Sequence, residues 1–186
     1  SGLETQSGKI EFMPSSLKRL AALEGENPER PVLNRYIRQW EGPGTAGSKA
    51  YPLQMISTHS RYSFHSFNDG KDSTVNDIED HRVTIDGHAY WVMRMNDEDA
   101  AKRGIAHHDL IRVYNERGSV ICAADVSAMT TKGACKAYES AAEFDFVEHP
   151  QYGLVDRGGC VNILTPARFQ VQGTSGQGVN SCLVEI

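Results

Sequence analysis

Between Tyr51 and Ile186 the apolar residues arrive in short runs and never in a long one. LQMI, YWVM, LIRVY, SVICAA, VNIL and SCLVEI are each long enough for a strand and too short to cross a membrane. Segments rich in Gly, Asn, Asp and Ser separate them. One helix signature stands among these runs. Asn96 can cap DEDAAKRG, whose acids fall in the first turn, Lys102 and Arg103 in the last, with Gly104 as the stop. Strands that do not alternate with helices exclude a doubly wound parallel sheet and predict a mainly β chain of barrel type.

In chain order, residues 1–50 read as an N-terminal arm and 51–186 as the domain proper. SGKIEF at 7–12 is at best a short strand, and Ser15–Leu23 has the cap and spacing of a few helical turns. Tyr36, Ile37 and Trp40 are expected to cover a surface, either of this domain or of a neighbour. Asn68–Asp80 is polar and acidic, the composition of a long exposed loop. Asp109–Tyr114 and Ser119–Ala124 flank the turn NERG and predict a hairpin. Val126–Thr130 and Lys136–Tyr138 read as weak strands, Phe144–Gly153 as loop, and Val161–Leu164 and Ser181–Ile186 as short apolar strands. Cys122, Cys135, Cys160 and Cys182 form no CxxC pair, and three of them sit among apolar or small neighbours, as reduced buried thiols do.

Three polar segments adjoin these strands. In YPLQMISTHSRYSFHSF (51–67) a strand gives way to Thr58, His59, Ser60, Arg61, His65 and Ser66. A guanidinium among hydroxyls, imidazoles and backbone N–H groups suits an anion with several oxygens, although a polar surface loop has the same composition. DRGGCVN (156–162) offers Asn162, with two glycines that permit close approach of backbone to a ligand or make a plain turn. GQGVNSC (176–182) offers Gln177 and Asn180, able to read the edge of a heterocycle. His59 and His65 share neither a strand face nor a helix face, and no carboxylate or thiol stands near, so no metal set is expected. His107 and His108 read as solvent-facing. No paired acid and base or activated nucleophile appears, so no catalytic residue is assigned. A net charge of −5 argues against a general nucleic-acid binder.

SGKIEF, YPLQMISTHSRYSFHS, DAAKRGI with HHDLIRVYNERGSV, GGCVNILTP and NSCLVEI occur in the order seen in the C-terminal domain of the molybdopterin-dinucleotide oxidoreductases. The chain resembles that domain of the dimethyl-sulfoxide-reductase superfamily over nearly its whole length. Within it, HSRYSFHS, HRVTIDG, YW, DRGGCVNILTP and NSCLVEI are most similar to the large subunits of pyrogallol hydroxytransferases and catechol dehydroxylases. The resemblance implies a six-stranded double-psi β-barrel with a few short helices. It implies a bis(molybdopterin guanine dinucleotide) cofactor carrying molybdenum or tungsten, held between this domain and upstream domains of one large subunit. It places cofactor contacts at Thr58, His59, Ser60, Arg61, His65, Ser66, Asn162, Gln177 and Asn180. A small iron–sulfur subunit and an aromatic substrate are the expected partners, in the cytoplasm or periplasm of an anaerobic bacterium. The metal-ligating and acid–base residues of the family lie upstream. The 186-residue chain is therefore expected to be a terminal fragment, inactive alone and without tightly bound cofactor. The alternative is a free-standing double-psi barrel that recognises a ligand without redox activity. Its self-processing form needs a Gly–Ser pair at a strand end, whereas Gly47–Ser48 lies in the arm and Gly118–Ser119 in a hairpin.

Overall fold

A computed structural model describes residues 2–16, 19, 22, 39–61, 76–139, 143–167 and 181–186. The chain divides into two compact units, Ser1–Trp40 with Ala167–Val179, and Glu41–Pro166 with Asn180–Ile186. In the first unit the SGKIEF segment forms no strand. Thr5 Oγ1 donates to the Lys9 carbonyl and the Ser7 N–H donates to the Glu11 carboxylate, so local side chains take up backbone groups a ladder would need. Of Ser15–Leu23, the described residues 15, 16, 19 and 22 are helical. Tyr36 and Ile37 lie outside the described residues.

The second unit is mainly β. Its strands are β1 (Leu53–Thr58), β2 (Arg82–Ile85), β3 (His88–Met95), β4 (Leu110–Asn115), β5 (Gly118–Val126), β6 (Ala134–Tyr138), β7 (Phe146–His149), β8 (Gly153–Asp156) and β9 (Ser181–Val184). One nine-stranded sheet runs in the order β7-β8-β5-β3-β6-β1-β9, with β2 on β3 and β4 on β5. β1 is parallel to β6, while β3 is parallel to β5 and antiparallel to β6. The path is open as strands. Beyond it, Tyr114 and Glu185 exchange both backbone hydrogen bonds in a single antiparallel bridge, at 2.9 Å each.

Period-two patterning decides what is buried. On β1, Leu53, Met55 and Ser57 face the core while Ile56 is exposed. Met55, Met93, Met95, Val113, Val120 and Leu164 fill the interior. All four cysteines are free and buried. Burial pushes the Cys122 and Cys182 thiols up to about 12 and raises Cys135 further, because a thiolate there would lose its hydration. The buried Asn115 amide donates to the Leu164 carbonyl at 2.8 Å and the Leu183 carbonyl at 3.0 Å, so one side chain ties three segments together. Glu41 forks onto Arg117 and accepts from the Leu183 N–H, fixing the start of the unit against the β4–β5 turn and β9.

The predicted β4–β5 hairpin and the Asn96 cap are present. Asn96 Oδ1 accepts from the Glu98 N–H, opening the helix α1 (Asp97–Ala101). Four expectations differ. Val161–Leu164 is a 3-10 turn rather than a strand, since its N–H groups bond locally within Gly159–Thr165. Phe144–Gly153 contains β7, which pairs with β8. Val126 ends β5, and residues 128–130 form a turn instead of a further strand. In Asn68–Asp80 the described end, 76–80, is a turn that buries Asn76 completely. HRVTIDG supplies β2 and a two-residue turn in which Asp86 and Gly87 both have positive φ, at 50° and 79°. No helix among the described residues is long and apolar enough to cross a membrane.

Candidate cofactor site

β1 and β6 run parallel and finish side by side at Thr58 and Tyr138. The Glu139 N–H donates to the Thr58 carbonyl at 3.0 Å, which carries the pairing one step past the strands. There His59 Nδ1 meets Glu139 Oε1 at 2.7 Å. Ser60 is buried, Arg61 is exposed, and Thr58 Oγ1 is a buried hydroxyl with no hydrogen-bond partner among the described residues.

A cavity of about 380 Å³ opens at this strand end, lined by His59, Arg61, Asp80, Arg94, Lys136 and Tyr138. Arg61, Arg94 and Lys136 set three cations against the single lining carboxylate of Asp80. Lys136 and Tyr138 are alternate residues of β6, and Arg94 of β3 lies directly across from Lys136. Like charges in that register repel, so their approach favours an anion between or above them. Two carboxylates hold Arg94, Asp80 Oδ1 on Nη2 at 2.5 Å and Asp125 Oδ2 on Nε at 3.2 Å. Its Nη1 is buried and has no hydrogen-bond partner among the described residues. Asp80 Oδ2 also accepts the Tyr138 hydroxyl at 3.0 Å, so one carboxylate orients two wall residues. Burial, against the opposing pull of Arg94 and aided by that hydrogen bond, leaves the Tyr138 phenol above its ordinary range.

Behind the wall His81 is fully buried, stacked on Trp91 at 5.9 Å and edge-on to Tyr138 at 5.0 Å. Burial is the main cause that lowers its pKa and keeps the ring neutral. Trp91, Tyr138 and Cys160 form one apolar cluster, so the DRGGC loop backs the cavity. The Asp156 carboxylate fixes that loop by accepting from the N–H groups of Asp145, Gly158 and Cys160 at 2.7–3.0 Å.

The structure brings His59 and Arg61 to the cavity and sets Thr58 and Ser60 beside it. Asn162 is exposed on the 3-10 turn and is not among the lining residues. His65, Ser66, Gln177 and Asn180 lie outside the described residues. Both glycines of DRGG stand where the protein's own atoms come close. A Cβ on Gly158 would stand 2.2 Å from the Glu143 carbonyl oxygen, and one on Gly159 2.7 Å from Trp91, so they admit the protein's own atoms. Asp80, Arg94, Lys136 and Tyr138 were missed in the sequence. Arg94 carried the one available signal, a lone charge inside the apolar run YWVMRM.

Comparison with known proteins bears on this geometry. The profile of the molydopterin dinucleotide binding domain matches residues 53–182. The chain belongs to the molybdopterin dinucleotide-binding domain family. It is 45% identical over all 186 residues to the pyrogallol hydroxytransferase large subunit of Pelobacter acidigallici, covering 21% of that protein. It is 31% identical over 163 residues to the dimethyl sulfoxide/trimethylamine N-oxide reductase of Cereibacter sphaeroides, covering 88% of this chain and 18% of the other. Acetylene hydratase from Pelobacter acetylenicus shares the fold over 86% of this chain and 20% of its own, with a TM-score of 0.57 at 18% identity. The chain thus spans about a fifth of the length of the relatives it matches. The cofactor of the family is molybdopterin guanine dinucleotide with molybdenum. The donor set fits it. Three cations at one strand end suit phosphate oxygens, and the Tyr138 and Thr58 hydroxyls suit a polar heterocycle edge.

Proposed function

We propose that this chain is the cofactor-orienting C-terminal part of the large subunit of a molybdenum oxidoreductase or hydroxytransferase that acts on a polyhydroxylated aromatic such as pyrogallol or catechol. The single observation that carries the cofactor role is the cation-lined cavity where β1 and β6 end together. The substrate class leans on the 45% identity to the pyrogallol hydroxytransferase large subunit. The double-psi reading of the barrel is supported by six strands, β1, β3, β4, β5, β6 and β9, linked in sequence by pairing and by the Tyr114–Glu185 bridge. Upstream domains of the same polypeptide would supply the metal ligand, and a small iron–sulfur subunit is the proposed electron partner.

When bound, the cofactor supplies the redox chemistry through its metal and dithiolene sulfurs. The residues of this chain bind and orient. Arg61 and Lys136 offset anionic oxygens, and Arg94 is held rigid for the same purpose by Asp80 and Asp125. Thr58 offers a hydroxyl, Ser60 is buried beside it, and Glu139 holds the His59 ring at the cavity mouth. His65, Ser66, Asn162, Gln177 and Asn180 complete the proposed contact set on the strength of the family resemblance.

The test uses the complete large subunit carrying Arg61→Ala or Lys136→Ala, with pyrophosphate titrated into the 186-residue chain in parallel. Each lost charge-assisted bond should weaken pyrophosphate binding about tenfold or more and lower molybdenum content or turnover in the whole subunit. Normal molybdenum content and turnover in both variants, with no pyrophosphate binding by the chain, would overturn the assignment.

A further inference from the structure

A second cavity, of about 370 Å³, opens on the face of β4 and is lined by Arg112, Tyr114, Tyr152 and the isoleucines 105, 111 and 186, with Arg103 at its side. Its centre is the Arg112 guanidinium. This group lies 3.6 Å from the Tyr114 ring centroid and 4.0 Å from that of Tyr152, between two aromatic rings. The stack continues outward. His149 packs on Tyr152 at 4.5 Å, and Tyr51 meets Tyr114 edge-on at 6.3 Å. Aromatic faces on both sides fix the plane of a guanidinium and leave its N–H edge for a partner in that plane.

Other arginines on and beside the sheet show what that partner should be. Arg82 holds Asp77, Arg94 holds Asp80 and Asp125, Arg103 holds Glu185, Arg117 holds Glu41 and Arg157 holds Asp145. Arg112 has no carboxylate within ion-pair distance among the described residues. Arg103 is already charge-compensated by Glu185, which together with the Asp99 carbonyl engages all three of its nitrogens, and so offers a further anion less than Arg112 does. One open fork suits a singly charged carboxylate better than a phosphate, which seeks more donors. The three isoleucines beside it suit an apolar group attached to that carboxylate.

We infer that the Arg112 cavity binds a carboxylate carrying a compact apolar or aromatic group, gripped by the Arg112 fork between Tyr114 and Tyr152. The carboxylate comes either from a free small acid or from an Asp or Glu side chain in the remainder of the polypeptide. The site is separate from the cation-lined cavity at the end of β1 and does not depend on the cofactor reading.

Benzoate and inorganic phosphate are titrated into the 186-residue chain and followed by the Arg112 Nε–H resonance and by ligand-detected NMR. Benzoate should shift Arg112 and the Tyr114 and Tyr152 ring signals, and phosphate should not compete. Arg112→Leu should weaken benzoate at least tenfold. Arg112→Lys, which keeps the charge and loses the fork, should fall between. Should Arg112→Leu fail to fold, Tyr152→Ala and the wild-type shift map decide. Benzoate binding to the chain but not to the complete large subunit assigns the carboxylate to the polypeptide, and binding to both assigns it to a free acid. No benzoate binding by the chain, binding unchanged in Arg112→Leu, or equal binding of phosphate overturns the inference.

Discussion

Replacing Gly159 by alanine separates two tasks for the DRGG loop, ligand approach and internal packing. Gly159 has φ 80°, a left-handed conformation in which a residue with a Cβ costs about 1–3 kcal/mol. The added methyl would also stand 2.7 Å from Trp91 Cδ1 and 3.0 Å from its Cβ. Trp91 is 5% exposed and its ring stacks on His81, so it has little room to withdraw. Overpacking of this kind adds about 1–3 kcal/mol. Together the two effects come to about 2–6 kcal/mol, a large part of the roughly 5–15 kcal/mol that holds a domain together. With a urea dependence of about 2 kcal/mol per molar, the midpoint should fall by about 1–3 M. Urea unfolding followed by tryptophan fluorescence measures it. A glycine kept only for a ligand would lose only the strain of its φ, a fall of about 0.5–1.5 M, together with weakened ligand binding. That outcome would refute the packing account of the loop.

His81 should make stability depend on pH. Burial lowers its folded pKa below the ordinary 6.5, so between the two values the unfolded chain binds more protons. Its contribution is complete above pH 6.5 and is lost as pH falls below it. His81→Gln should flatten the slope of unfolding free energy below pH 6.5 relative to wild type, and an identical slope would remove His81 from the account. The buried thiols should be inert in the native state. Cys122 and Cys182, with pKa values pushed up to about 12, should not react with an aromatic disulfide reagent at pH 8 until denaturant opens the fold; rapid native reaction at either would contradict their burial.

The parts of the fold that were legible in sequence are those whose signal is local. NERG between two apolar runs gives the β4–β5 hairpin, and Asn96 before three acids gives the α1 cap. VNIL is as apolar as a strand, but four residues cannot distinguish a strand from a 3-10 turn without their hydrogen-bond partners. β7 hid because Phe144 and Phe146 stack on each other at the surface rather than alternating into a core. The site divides in the same way. Thr58, His59, Ser60 and Arg61 were visible because they follow one another in the chain. Asp80, Arg94, Lys136 and Tyr138 come from three other segments and meet only through strand pairing, which leaves no contiguous trace.

The pairing itself explains why the proposed anion site lies where it does. β1 and β6 are parallel, so both release their chains at the same end of the sheet. Past Thr58 and Tyr138 the ladder stops after one further bond, and His59, Arg61 and Glu139 leave it together. β3 runs antiparallel to β6 beside them and brings Arg94 opposite Lys136. That like-charge pair opposes stability. Asp80 and Asp125 compensate Arg94, whereas Lys136 has only the Tyr138 ring, at 5.2 Å, and no carboxylate among the described residues. Stability alone would favour an acid or a neutral residue opposite Arg94. A lysine kept opposite Arg94 with no carboxylate of its own among the described residues, at the common end of two parallel strands, is what the proposed anionic group seated there would account for.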